Sequence, residues 1–258
     1  MKTSNKIILS LVLFMIFGSV AAMVTIRKNL SIKKEVEYIG NGIIGKKILA
    51  ESTISNSIEI NGSHNVLKID PNSTQVILEW EENFLDVMEL VDEENFLKLR
   101  HKEHNNNMTY DASPILIVGI KGKDNLQIRA YSACEVKSLA PMKLSSLLIN
   151  AQEHANLDIE VDASVITIYA DDESKLKLTG KTEVVTIECG DEARVEMDAL
   201  DINVLNVQLN DDANLSINKC DVATGFMRDH SRIVISGDMP EGIIDVKHDA
   251  QKIIKNPQ

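Results

Sequence analysis

Aromatic side chains make up only 4% of the 258 residues, and Trp80 is the single tryptophan. Faces that bind sugars, flat cofactors or single-stranded nucleic acid usually rely on stacking rings, so this chain has little material for one. Cysteine is scarcer still. Cys134, Cys189 and Cys220 are odd in number, far apart and without a C-x-x-C spacing. This argues against a disulfide framework or a thiolate zinc site and leaves buried thiols acting as small apolar fillers. Catalytic motifs are missing as well. There is no Ser/His/Asp order, no nucleophile elbow and no glycine loop shaped to cradle phosphate. His101 and His104 form H-x-x-H, but on a strand or loop that spacing does not converge two rings on a metal. Acids are plentiful, yet a sugar-cleaving β-helix sets its acids beside a long aromatic groove, which nothing here suggests. The expectation is a protein without catalytic residues or cofactor.

Net positive charge is missing from most of the chain. The net charge is −12. Residues 1–47 hold Lys2, Lys6, Arg27, Lys28, Lys33, Lys34, Lys46 and Lys47 against Glu35 and Glu37, a balance of +6, which leaves −18 on the remainder. A body that acidic repels phosphate backbones, so nucleic acid is not an expected partner.

What is present begins with residues 7–24, IILSLVLFMIFGSVAAMV, eighteen residues without a charge. As a helix they would cover about 27 Å, close to the ~30 Å of a hydrocarbon core. Val20-Ala21-Ala22 offers a small-residue cleavage site. Residues 1–26 are therefore read as a signal-anchor helix, with a cleaved signal peptide as the alternative. Residues 27–47 follow as a basic linker. The flanking charges alone would place the body in the cytoplasm. A short basic tail followed by an apolar run is nevertheless the usual export pattern, and the body is expected outside the cytoplasmic membrane, in the periplasm or at the cell surface.

The body repeats. A small residue, a polar residue, an aliphatic, any residue and usually a second aliphatic recur six times. The copies begin at Cys134, Ala155, Ser174, Ala193, Ala213 and Ser231, and Ala155-Asn156-Leu157-Asp158-Ile159 is typical. Alternation marks strands, and whole motifs at a period near twenty suit the rungs of a solenoid. The expected fold is all-β, a right-handed parallel β-helix in which neighbouring coils lie about 4.8 Å apart. An antiparallel β-sandwich is the alternative. The solenoid is placed at 48–238, with irregular coils or a cap at 48–128 and regular coils at 129–238. Residues 239–258 lose the pattern and are read as a closing cap or tail.

Three stretches also resemble a known family. They are Ile54-Ser55-Asn56-Ser57-Ile58-Glu59-Ile60-Asn61-Gly62-Ser63-His64-Asn65-Val66, then Glu81-Glu82-Asn83-Phe84-Leu85 with Asn95-Phe96-Leu97-Lys98-Leu99, then the repeats themselves. Over residues 45–238 the chain resembles the bacterial head GIN domain family, a group described as putative auto-transporter adhesins. The resemblance implies a right-handed β-helix at the cell envelope, without established catalysis. Family turns are often rich in glycine, whereas here they read Asp-Asp-Glu-Ser (171–174), Gly-Asp-Glu-Ala (190–193) and Asp-Asp-Ala-Asn (211–214).

Stacked coils would turn these acids into a ladder. Asp172, Asp191 and Asp211 form a candidate Ca²⁺ edge, since Ca²⁺ takes several carboxylate and carbonyl oxygens. A solvated acidic edge is the simpler reading, because no glycine-rich calcium repeat is present. The functional expectation is a non-catalytic envelope protein that presents its solenoid to a surface ligand, protein or glycan. A sensor or scaffold docking another protein is the alternative, and a glycan-active enzyme the less favoured one.

Overall fold

The computed structural model describes residues 38–51, 55–62, 64–93, 95–102, 108–109, 111–238 and 240–255. They divide into two units. In the smaller, Tyr38–Ile39 pairs in parallel with Met108–Thr109. The larger is a β-solenoid of about seven turns. Among the described residues its helical structure is the 3-10 turn Glu82–Phe84.

The long strands Asn156–Ala170, Lys175–Cys189 and Arg194–Leu209 show the plan. Each runs through a front sheet (156–159, 175–178, 194–197) into a back sheet (165–170, 184–189, 204–209), and a four-residue turn opens the next coil. The alternation puts aliphatics inside. Leu157, Leu176, Val195, Leu215 and Ile233 are register partners from coil to coil, and all are buried. Ile159, Leu178, Met197, Ile217 and Ile235 are buried two positions on. Between them Asp158, Lys177 and Glu196 are exposed, and Ser216 is half-buried. A bulge shifts the register between Lys177 and Thr179, where Arg194–Leu209 is one residue longer than its neighbour.

The N-terminal coils do not stack in chain order. Ser57–Asn61 and Val66–Asp70 lie directly on Asn125–Tyr131 and Glu135–Ser138. Their other edges pair with Phe96–His101 and Ile115–Gly119. The chain therefore leaves after residue 70, builds an outer coil, and returns at residue 125 to the inner side of the coil it left. Antiparallel pairs finish that end: Val76–Glu81 with Ile44–Ala50 and with Ile115–Gly119, and Met88–Glu93 with Phe96–His101.

Two expected boundaries move. The linker does not extend to residue 47, because Ile44–Ala50 is a strand. Its lysines are not linker charges: Lys46 pairs with Glu79 across the antiparallel ladder, and Lys47 Nζ lies 2.7 Å from Asp86. The solenoid does not stop at residue 238. Ile244–Val246 and Gln251–Ile254 add a further coil on Cys220–Met227 and Arg232–Ile235. Lys252 there sits opposite Ile233, so the aliphatic column breaks in sequence while the strand continues. The apolar segment 7–24 lies outside the described residues. Among the described residues no helix is long and apolar enough to cross a membrane.

Candidate functional site

The six turns between residues 131 and 231 are each built from two successive residues in the left-handed region. Examples are Asp172 and Glu173 (φ 50° and 58°), Asp191 and Glu192 (38° and 62°), and Asp211 and Asp212 (46° and 62°). The residue after each pair donates back to the carbonyl of the residue before it, as in Ala193 N to Gly190 O at 2.9 Å. That residue is small because it points inward: Ala155, Ser174, Ala193, Ala213 and Ser231 are all fully buried. The turns also bond to one another. Glu173 N donates to Asp191 O at 2.9 Å, and Glu192 N to Asp211 O at 3.0 Å. The acids at these positions are thereby held on one edge, a coil apart.

The edge is not uniform. Asp171, Asp172 and Asp191 each bring a carboxylate oxygen within 4.8 Å of the others. Two of the three sequence-predicted residues, Asp172 and Asp191, thus meet, while Asp211 continues the ladder one coil further. Asp171 was not picked out in the sequence, because it precedes the turn pair. Its Oδ1 is buried without a hydrogen-bond partner among the described residues. Burial raises its pKa above the ordinary value of 3.8, and the neighbouring Asp191 and Asp172 charges raise it further.

Glu81 is the buried charge at the N-terminal end. Its Oε2 accepts from Gly42 N at 2.8 Å, and its Oε1 from Asp111 N at 2.8 Å and Ala112 N at 3.2 Å. These hydrogen bonds, led by that from Gly42, hold its pKa below the ordinary 4.5 against the opposing effect of burial. The carboxylate ties three separated segments together. Beside it Trp80 Nε1 donates to Ala112 O at 2.7 Å. The carboxylate is satisfied and enclosed, which suits a structural brace.

The two sheets present different outer faces. On the front, Lys137, Asp158, Lys177 and Glu196 are successive register partners that alternate in sign. Two shallow grooves of about 330 and 470 Å³ lie there, both bordered by Arg194 and Glu196. The back face is nearly without charge. One outward column is Val165, Val184, Val204 and Val222. The next is Thr167, Thr186, Asn206 and Thr224, and the third is Tyr169, Glu188, Gln208 and Phe226. Ser146, Leu148 and Asn150 extend the columns by one coil. Within these three columns Glu188 is the only charged residue.

The three thiols are free and buried, and burial raises the pKa of each, to about 11 for Cys134 and Cys220. They are core residues rather than nucleophiles. His154 and His230 lie near acids of the following coil, His154 Nδ1 at 3.6 Å from Glu173 and His230 Nε2 at 3.4 Å from Asp249.

The model of a family described as "putative auto-transporter adhesin, head GIN domain" matches residues 55–238. The chain belongs to this family. Solved structures share the fold. A putative adhesin from Bacteroides fragilis superposes with a TM-score of 0.70 at 14% identity, covering 85% of this chain and 99% of that one. A putative adhesin from Parabacteroides merdae gives 0.66 at 15%, covering 86% and 99%. A putative lipid binding protein from Parabacteroides distasonis gives 0.66 at 15%, covering 86% and 100%. No curated protein matches the chain at a significant level.

Proposed function

We propose that this head GIN domain protein is a non-catalytic binding module of the bacterial cell envelope, working outside the cytoplasmic membrane. The observation that carries the reading is the in-register stack, which repeats each outward side-chain row at about 4.8 Å. Such a surface is rigid and periodic, and so suited to a repetitive envelope ligand. The coil is taken as right-handed, the hand of nearly all parallel crossovers. Residues 7–24 supply the export signal and, where uncleaved, the tether to the membrane. The names of the solved relatives support an adhesive role and add no ligand.

The test is saturable binding of the labelled full chain to isolated bacterial envelopes, with the bound material checked for bond cleavage. Saturable binding without products is expected. Turnover of an envelope glycan, or absence of saturable binding, would overturn the reading. Protease added to spheroplasts should digest the body, and protection until lysis would overturn the location.

A further inference from the structure

We propose that the outer face of the back sheet docks a linear, uncharged polysaccharide. The proposal rests on the reading of the chain as a binding module and names its ligand class.

Charge is the first ground. Charged residues make up 26% of the chain, yet Glu188 stands alone within the three columns of this face. An anionic polymer would meet no cation here and would be repelled by the acidic body. A bilayer surface is normally held by clustered lysines and arginines, which the face lacks. A neutral ligand matches it. The charges resume at the ends of the patch, with Arg129 before Asn150 and Asp245 after Phe226, and along its valine side, with exposed Glu183 and Asp221.

Side-chain chemistry is the second ground. Aromatics are few, but Tyr131, Tyr169 and Phe226, each at least partly exposed, are on this sheet. Tyr169 is 44% exposed. A sugar ring has an apolar C–H face and a rim of hydroxyls. The valine column and Tyr169 can take the former. The threonine and Asn206 column can take the latter, since hydroxyl and amide groups both donate and accept. Thr224 Oγ1 already donates to Asn206 Oδ1 at 2.9 Å, which orients that row.

Area decides against a second copy. Three columns over five coils span about 13 Å by 19 Å, or about 250 Å² of projected face. A stable protein interface buries about 800 Å² of accessible surface per partner, which takes a footprint wider than this strip. A single glycan chain running across the coils needs far less than that.

The experiment offers the full chain to immobilised linear β-1,3-glucan, β-1,4-glucan and mannan, and to the neutral glycan fraction of bacterial envelopes. Carboxylated cellulose and phosphatidylcholine vesicles run beside them. Retention on a neutral glycan is expected, unchanged between about 0.05 and 0.5 M salt because no charge pair is involved. Tyr169→Ala and Thr186→Lys should each weaken it at least about tenfold, as loss of a central contact does. Both positions are exposed, and equal melting temperatures would show that the variants fold. Lys177→Ala on the front face should change nothing. Failure of every neutral glycan, retention on the anionic polymer alone, or unchanged binding by both back-face variants would overturn the proposal. So would vesicle binding or dimerisation abolished by Thr186→Lys, which would give the face to lipid or to a second copy. Saturable envelope binding that survives both variants would defeat this proposal and leave the binding module standing. Loss of all envelope binding in the unmodified chain would defeat both.

Discussion

Leu176 is 2% exposed and sits between Leu157 on one coil and Val195 on the next. Replacing it with alanine removes most of a side chain that both neighbours pack against. A buried Leu→Ala change costs about 2–5 kcal/mol, and the cost grows with the cavity that remains. Here the cavity cannot close along the solenoid axis. Lys175 N donates to Ala155 O and Arg194 N to Ser174 O, both at 2.8 Å, and these ladders hold the coils at their spacing. The middle of the range or a little above it applies, about 3–4 kcal/mol, against a typical total stability of about 5–15 kcal/mol. At about 2–4 °C per kcal/mol for a domain of this size, the melting temperature should fall by about 6–16 °C. Lys177→Ala, one residue on, should stay within about 0.5 kcal/mol because the side chain is exposed. Thermal melts followed by far-UV circular dichroism compare the two directly, and urea melts guard against stepwise loss of end coils. Equal midpoints for the two variants would refute the register and the continuous core with it.

Other outcomes follow from the turns and the brace. Glu192→Gly should raise stability by up to about 1 kcal/mol, since a non-glycine residue at φ 62° is strained and a ladder charge is removed; a lower melting temperature would contradict the strain. Asp171→Asn should stabilise near neutral pH, again by up to about 1 kcal/mol, by ending its repulsion with Asp172 and Asp191. Because its folded pKa is raised, the native state holds the Asp171 proton more tightly than the unfolded chain. Its contribution is greatest below about 3.8 and is lost as pH rises through the folded value, so the variant should flatten that decline in melts across the acid range. Millimolar Ca²⁺ should leave the melting temperature unchanged; a rise that Asp171→Asn abolishes would make the edge a cation site. Glu81 has the opposite sign. Its lowered pKa gives stability that is present above 4.5 and lost as pH falls through the folded value. Glu81→Gln should destabilise, since the amide NH₂ must face either Gly42 N or the Asp111 and Ala112 pair, and should remove that acid-range loss. An unchanged acid slope would deny the brace.

The regular coils were legible because their signal is local. Leu157 and Leu176, or Ile166 and Val185, are apolar at fixed spacing, and a one-residue slip would turn each inward row to solvent. The small residue of each repeat was legible too, and its reason is burial on the inner side of a turn. The last coil was missed where Lys252 replaces an aliphatic. At the end of a stack that position needs no apolar group, because no further coil covers it among the described residues. Asp172 and Asp191 were found by their repeat, whereas Asp171 belongs with them only through the path of the backbone. The nearly uncharged back face was overlooked for a related reason. Val184, Thr186 and Glu188 alternate with core residues in the chain, and only stacking shows that the rows above and below them carry no charge.

The N-terminal coils show where periodicity stops being informative. A repeat predicts that a coil rests on the next one in the chain. Val66 instead pairs with Glu135 on one side and Ile115 on the other, so its coil is flanked on both sides by later parts of the chain. Nothing in the alternation of Val66–Asp70 distinguishes these partners from sequential ones, since any strand with the same inward aliphatics would fit. What selects them is the closure of the end. A parallel solenoid exposes a row of unpaired backbone groups at each end, which invites edge-to-edge association. The outer coil must therefore meet strands able to end the stack, and Val76–Glu81 does so by running antiparallel to Ile115–Gly119 and accepting Ile44–Ala50 on its other edge. That arrangement buries Glu81 where the strands meet, and the backbone donors of residues 42, 111 and 112 make the burial tolerable. In the sequence Glu81 is one acid beside another, Glu82. The buried one is identified by which segments surround it, and those segments are brought together by the same out-of-order stacking that the repeat conceals.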